Sequence, residues 1–141
     1  MATQFFFLQQ NISLTKRTAL KVFIIGIFKK EKKKLENLTY IFCSDDYLLK
    51  INKSHLKHNY YTDIITFDLS EPTGGAISGE IYISTDRVRD NAITLGVTIK
   101  EELHRVIFHG ALHLCGYKDK TPKDAKHMRG AEDRCLKAYF K

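Results

Sequence analysis

Residues 98–117 read TIKEELHRVIFHGALHLCGY, and this stretch carries the clearest fold signal in the chain. Apolar residues recur along it at spacings of three and four, which is typical of a helix with one face in a protein core. That apolar face consists of Leu103, Val106, Ile107, Ala111 and Leu114. Thr98 with Glu101 forms a capping box at the start, and Gly116 suits a left-handed cap at the end. The sequence therefore predicts a helix over residues 99–114.

Two histidines lie beside this apolar face. His109 and His113 are four residues apart, about one turn, so two imidazoles on one side of the helix can converge on a single metal ion. Phe108 and Leu112 cover the opposite flank, so we expect this half of the helix, histidines included, to be substantially buried. Gly110 between the histidines removes side-chain bulk and could let a substrate or another backbone approach closely.

Asp119, six residues after His113, is the candidate third ligand. Two histidines and one carboxylate leave a fourth position for water, as in catalytic metal sites, and a divalent metal there would activate that water toward a phosphodiester. The same spacing also fits hydrogen-bonded core histidines, with Asp119 capping the next helix.

Gly110 replaces the glutamate of the His-Glu-x-x-His peptidase motif. Glu102 could lie two turns away on the same flank as the histidines, but it also suits the helix dipole as a first-turn acid, and it receives no role.

Outward from this helix, short apolar segments alternate with amphipathic ones. Strands are predicted at residues 5–8, 38–43, 62–67 and 80–84. Helices are predicted at residues 16–35, 45–54 and 85–96, and from residue 121 to near the C-terminus. Ser44, Ser84 and Thr121 stand at N-cap positions. The pattern predicts a single compact α+β domain over residues 1–141, with about four strands in a mixed sheet packed with helices and a zincin-like metal-binding helix.

The composition is that of an ordered globular protein, with 43% hydrophobic and 28% charged residues. The net charge of +7 favours polyanionic partners, either nucleic acid or an anionic membrane surface. Part of the excess lies in a lysine cluster that is either a phosphate-contacting patch or the solvated end of a helix. The cluster consists of Lys29, Lys30, Lys32, Lys33 and Lys34.

Cysteine usage and hydropathy indicate a cytoplasmic protein. The three cysteines form no Cys-x-x-Cys pair and follow no secretory leader, which favours free thiols in a reducing compartment and no disulfide-linked partner. The most apolar run, residues 19–28, contains Lys21 and is too short to cross a bilayer. We expect a buried helix there and no membrane attachment.

The segment HGALHLCGY at residues 109–117 resembles the signature of the YbeY endoribonuclease family, His-Gly-x-Leu-His-Leu-x-Gly-Tyr followed by Asp-His. LKIN at 49–52, TDIITF at 62–67 and GEIYIS at 79–84 resemble the family in the same order. The resemblance implies one α+β domain with a zinc ion and a single-strand-specific endoribonuclease activity. It also implies maturation of the 3′ end of 16S rRNA, ribosome quality control, and ribosomal RNA and the small ribosomal subunit as partners.

Carried over by position, the family's first two zinc ligands fall at His109 and His113, and its third histidine falls at Asp119. The aspartate that precedes that histidine is replaced by Lys118. We therefore predict that His109, His113 and Asp119 form the catalytic metal site, with one Zn²⁺ per chain. A carboxylate as third ligand also admits harder divalent ions such as manganese or magnesium.

The family arginine proposed to hold the RNA phosphate falls at Leu56, so another cation must take that role or the role is lost. Lys57 and His58 are candidates from the same loop, which solvent exposure alone would also explain. Arg87 either points along the groove toward RNA or only pairs with neighbouring aspartates. Asp63 could line the cleft or fix the start of a strand.

Two other functions remain compatible with these residues. One is a hydrolase on the same scaffold that acts on another substrate, because fold does not fix function. The other is a ribosome-associated RNA-binding factor whose metal is mainly structural.

Overall fold

The computed structural model describes residues 3–141, so Met1 and Ala2 of the predicted domain lie outside the described part. The elements in chain order are β1 Thr3–Phe7, α1 Arg17–Lys30, β2 Lys34–Cys43, α2 Asp45–His55, β3 Ile64–Asp68, β4 Ala76–Ser84, α3 Thr85–Leu95, α4 Ile99–Leu114 and α5 Pro122–Tyr139. Among the described helices, none has the length and hydropathy needed to cross a membrane.

The four strands form one mixed sheet in the order β1-β2-β4-β3. The β1–β2 and β2–β4 pairs are parallel, whereas β3 runs antiparallel to β4. Alternate residues along β2 and β4 face the main core. They are Leu38, Tyr40, Phe42, Ile81 and Ile83, all at most 1% exposed. The predicted α+β class with a four-stranded mixed sheet is confirmed.

The two faces of the sheet carry unequal helix layers. The main core joins the sheet to α1, α4 and α5. A smaller cluster of Cys43, Leu48 and Ile65 lies on the other face, where α2 packs. Helix α4 contacts β3, β4, α1, α3 and α5, so it lies at the centre of the domain.

Two contacts fix the position of α4 against the sheet. The hydroxyl of Tyr40 on β2 donates a buried hydrogen bond of 2.8 Å to the carbonyl of Ile107. A Cβ atom at Gly110 would lie 2.7 Å from Ile81 and 3.1 Å from Ile64, so only glycine lets the helix approach this closely. The close approach that Gly110 permits is therefore to the sheet, and its role in admitting a substrate is not seen.

The predicted helix starts are confirmed by their caps. The side chains of Ser44, Ser84, Thr98 and Thr121 each accept a hydrogen bond from the backbone N–H three residues later. All five residues predicted for the apolar face of α4 are buried. The capping residues and the apolar face of α4 that the sequence predicts are thus both present in the structure.

The predicted end of α1 at residue 35 is wrong, because the helix ends at Lys30. Lys32 has φ of 59°, and the N–H of Lys33 donates to the carbonyl of Phe28, which closes the helix with a left-handed turn. Strand β2 then begins at Lys34. The lysine cluster therefore spans the last turn of α1, the left-handed turn and the start of β2, with all five side chains exposed.

Candidate active site

A cleft of about 640 Å³ opens between α4, the first half of α5 and the segment from residues 52 to 66. The predicted site residues His109, His113 and Asp119 all line it. Helix α4 contributes the two histidines, and the turn after the helix contributes the carboxylate. Sequence reasoning thus brought together three side chains that the fold places around one cleft.

His109 is held from both sides by carboxylates. Its Nδ1 lies 2.6 Å from Oε2 of Glu132, and its Nε2 lies 3.2 Å from Oδ2 of Asp119. Burial lowers the pKa of His109, but the hydrogen bond and charge of Glu132, with the charges of Asp119 and Asp63, outweigh burial and raise that pKa above its ordinary value. Its Nε2 faces Asp119 because Glu132 fixes the other edge of the ring.

Glu132 connects His109 to two arginines. Its Oε1 accepts from Arg105 at 3.0 Å and lies 3.7 Å from a guanidinium nitrogen of Arg129. Arg105 also pairs with Asp133 at 2.7 Å. Glu132 is 5% exposed, so its charge is compensated inside the protein rather than by water.

The turn after α4 directs Asp119 back toward the helix. Gly116 has φ of 110°, and the N–H of Tyr117 donates to the carbonyl of Leu112. Asp119 does not cap the next helix, because Thr121 occupies that position.

His113 is exposed, so the expectation that both histidines would be buried is wrong for His113. Its side of the last helical turn faces the open cleft.

The donor types suit a divalent metal, with two imidazoles and one carboxylate around one cleft. If Nδ1 of His109 donates its proton to Glu132, the Nε2 lone pair is free for a metal. Metal-binding histidines usually donate their other ring N–H to a carboxylate in this way. Within residues 3–141, however, no three His, Cys, Asp or Glu side chains are grouped closely enough to hold a metal ion. His109 and Asp119 are in contact, and His113 is not grouped with that pair.

The residues predicted to contact RNA occupy different surroundings. His58 lines the cleft, whereas Lys57, with φ of 56°, is exposed and is not part of the cleft lining. Arg87 also lies outside the lining and forms ion pairs of 2.7 Å with Asp45 and 3.3 Å with Asp90. The alternative of pairing with aspartates therefore describes Arg87, although one of its partners, Asp45, comes from α2. Roles in RNA binding for these three residues remain predictions.

Sequence reasoning missed Glu102 and Glu132. Glu102 is 4% exposed, lines the cleft, and has an Oε1 atom without a hydrogen-bond partner among the described residues. Burial raises its pKa, and the negative charge of Asp63 raises it further. Burial likewise raises the pKa of Asp63, which also lines the cleft. The place of Glu102 on the same flank as the histidines was the one signal for it, whereas Glu132 lies 23 residues from His109 in the chain.

A central helix with two cleft-facing histidines, packed on a four-stranded mixed sheet, defines a small α+β protein with a histidine–carboxylate cleft. The profile of the family described as endoribonuclease YbeY matches residues 6–140. The chain belongs to the endoribonuclease YbeY family. This confirms the resemblance found in its sequence motifs.

Relatives and a solved structure agree with that assignment. The chain is 53% identical to an endoribonuclease YbeY of Cytophaga hutchinsonii over 95% of this chain and 94% of the relative. It is 43% identical to an endoribonuclease YbeY of Parabacteroides distasonis, with 96% and 94% covered. The solution structure of TM1509 from Thermotoga maritima matches with a TM-score of 0.62 and 24% identity, over 99% of this chain and 89% of that one. This last likeness concerns the fold.

Proposed function

We propose that this chain is a metal-dependent endoribonuclease that cleaves single-stranded RNA. An RNA-cleaving hydrolase is the function that the names of its relatives state. The observation that carries the proposal is the placement of His109 between Asp119 and Glu132 at the wall of the cleft. We assign it the maturation of the 3′ end of 16S rRNA and ribosome quality control in the cytoplasm, with the small ribosomal subunit as partner.

In this proposal His109, His113 and Asp119 hold one Zn²⁺. Their chemistry supports the assignment, because imidazole and carboxylate are ordinary zinc ligands. A divalent metal at these donors would supply an acidic water and polarise a phosphoryl oxygen. Binding requires His113 to join the pair that His109 and Asp119 already form. Asp119 as the carboxylate ligand leaves manganese or magnesium as alternatives.

The chain's own residues supply positioning and charge balance. Glu132 fixes the ring of His109 through Nδ1, and Arg105 holds Glu132 in turn. Because Glu132 is buried and holds Nδ1 of His109, the orientation of His109 is set before substrate arrives. The phosphate backbone of RNA brings negative charge toward a chain of net charge +7, and Lys120, Arg129 and His58 line the cleft where it would lie.

A cleavage assay with defined RNA tests this function. Wild-type protein loaded with zinc or manganese should cut a single-stranded RNA and a precursor containing the 16S 3′ end, and should leave duplex RNA and a peptide panel intact. His109→Ala should reduce the rate about 100-fold or more, whereas His127→Ala, an exposed histidine of α5, should not. Cleavage of peptides but not RNA would contradict the proposal and favour a hydrolase of another substrate.

A further inference from the structure

The loop between α2 and β3 presents aromatic rings at the cleft. His58 and Tyr60 are stacked with ring centroids 5.1 Å apart and planes 20° apart. The hydroxyl of Tyr60 lies 3.0 Å from Nδ1 of His58, so the two rings also share a hydrogen bond. Both residues are exposed and both line the cleft. One face of each ring is turned toward the other ring, and the pair lines the same cleft as the histidine–carboxylate site.

The loop that carries these rings is fastened from below by Asn52. The side-chain amide of Asn52 donates to the carbonyl of Tyr60 at 2.8 Å, and its backbone carbonyl accepts from the N–H of His58 at 3.0 Å. Asn52 is 1% exposed, so the residue that anchors the loop is itself buried. The rings are therefore exposed on a backbone that is held in place, which lowers the entropy lost when something binds to them.

Burial of these rings in a core does not explain their position. Tyr60 is 56% exposed, although a tyrosine ring is one of the larger apolar surfaces a residue can bury. Tyr61, next in the chain, is 52% exposed and has the guanidinium of Arg87 5.7 Å from its ring centre. Two exposed tyrosines and a histidine thus lie within residues 58–61, and of these His58 and Tyr60 line the cleft.

We propose that Tyr60 and His58 form a stacking site for one unpaired nucleobase of the RNA strand in the cleft. The proposal rests on the proposed endoribonuclease function. A base in a single strand has free faces, and aromatic side chains are the usual partners of such faces. The bases of a duplex are already stacked on one another, so this surface selects unpaired RNA. Because every base has a π-face, the site selects single strands rather than sequence.

The position of the pair also bears on the arginine expected at Leu56. Leu56 lines the same cleft but carries no charge. His58, two residues further on, has its Nδ1 bound to Tyr60, which leaves Nε2 as its other polar atom. Stacking on the pair would hold the nucleotide by its base, in place of a cation that holds it by its phosphate.

The absence of tryptophan from the chain offers a direct test. Tyr60→Trp places a single indole at the proposed stacking position, so all tryptophan fluorescence reports from there. Titration with single-stranded RNA of 12 nucleotides should quench this fluorescence saturably. The same strand with abasic sites, and a blunt duplex of the same sequence, should quench it little. Equal quenching by the abasic strand, or none by the intact strand, would overturn the proposal.

Affinity measurements give the matched comparison. Tyr60→Ala should weaken binding of the intact single strand about 5- to 100-fold and leave binding of the abasic strand nearly unchanged. Tyr60→Phe, which keeps the ring and loses the bond to His58, should stay within about threefold of wild type. Tyr47→Ala, an exposed tyrosine on α2 outside the cleft lining, is the control and should have no effect.

The two proposals fail in different ways. Wild-type protein that cleaves RNA, with Tyr60→Ala unchanged in affinity for the intact strand, would contradict the stacking site and leave the endoribonuclease standing. Wild-type protein that neither binds nor cleaves single-stranded RNA would contradict both.

Discussion

The two walls of the cleft differ in how their side chains are held. On the helical wall, His109, Glu132 and Arg105 are joined to one another by bonds of 2.6 and 3.0 Å. On the loop wall, His58 and Tyr60 are anchored through their backbones but leave their rings to solvent. Under the two proposals, the helical wall fixes the orientation of His109 through paired charges, and the loop wall keeps ring surface available for a nucleobase.

The comparison also explains where each wall tolerates change. A paired, buried charge depends on every partner, since removal of one partner leaves the other uncompensated. An exposed ring depends only on what binds to it. Mutations on the helical wall should therefore affect catalysis or folding, whereas those on the loop wall should affect affinity for RNA.

Among changes that leave the proposed metal ligands in place, the largest effect on the helical wall is expected from Glu132→Gln. Loss of the carboxylate weakens the hold on Nδ1 of His109 and should lower cleavage activity or metal affinity 10- to 100-fold. Asp133→Asn is the control, because Asp133 pairs with the same Arg105 but is exposed and has no contact with His109. Steady-state kinetics and metal titration measure both. Equal losses in the two variants would show that Arg105, and not His109, is what Glu132 serves.

A packing change beneath the site should have the next largest effect. Gly110→Ala brings a methyl group 2.7 Å from Ile81 and should destabilise the fold by about 1 to 3 kcal/mol. Gly26→Ala on α1, where the added methyl meets nothing within 4 Å, should instead stabilise by about 0.5 to 1 kcal/mol. Thermal and urea unfolding measure both. A neutral result at Gly110 would mean that α4 moves easily on the sheet.

The smallest effect concerns the unpaired acid at the base of the cleft. The raised pKa of Glu102 means that the folded state keeps its proton to higher pH than the unfolded chain, so this residue lowers stability as pH rises above about 4.3. Glu102→Gln should therefore stabilise the protein at pH 7 by about 1 kcal/mol, and the gain should shrink toward pH 4.

Glu101→Gln, in the same first turn of α4, is the control for this pH dependence. It also removes a first-turn charge that interacts with the helix dipole, and it should give no stabilisation at pH 7. The melting temperatures of wild type, Glu102→Gln and Glu101→Gln, measured between pH 4 and pH 8, test this difference. A gain in Glu102→Gln that is independent of pH would contradict the account of a buried, unpaired carboxyl.

The features predicted correctly from sequence are those that depend on local rules. The cap residues, the apolar face of α4 and the turn that returns Asp119 to the cleft all follow from spacing within a few residues. The end of α1 was missed because a lysine, Lys32, adopts the left-handed conformation that usually belongs to glycine.

The missed site residues depend on tertiary structure. Glu132 reaches His109 because α5 packs on α4. It lies four residues from both Met128 and Leu136, on the buried face of α5, and this spacing, which the exposed Asp133 lacks, is the signal that its own helix offered. Glu102 is buried because α4 lies at the centre of the domain, although its sequence position is that of an ordinary first-turn acid. The stacked pair of His58 and Tyr60 depends on Asn52, which ends the LKIN segment at 49–52, but that segment alone does not indicate that the buried amide of Asn52 holds the following loop.

Metal content tests the central claim most directly. Mass spectrometry of protein purified without chelator or affinity metal should find about one divalent ion per wild-type chain, no ion in His113→Ala or Asp119→Ala, and a retained ion in Asp133→Asn. Metal-free wild type, or a metal that persists in Asp119→Ala, would contradict the proposed ligand set.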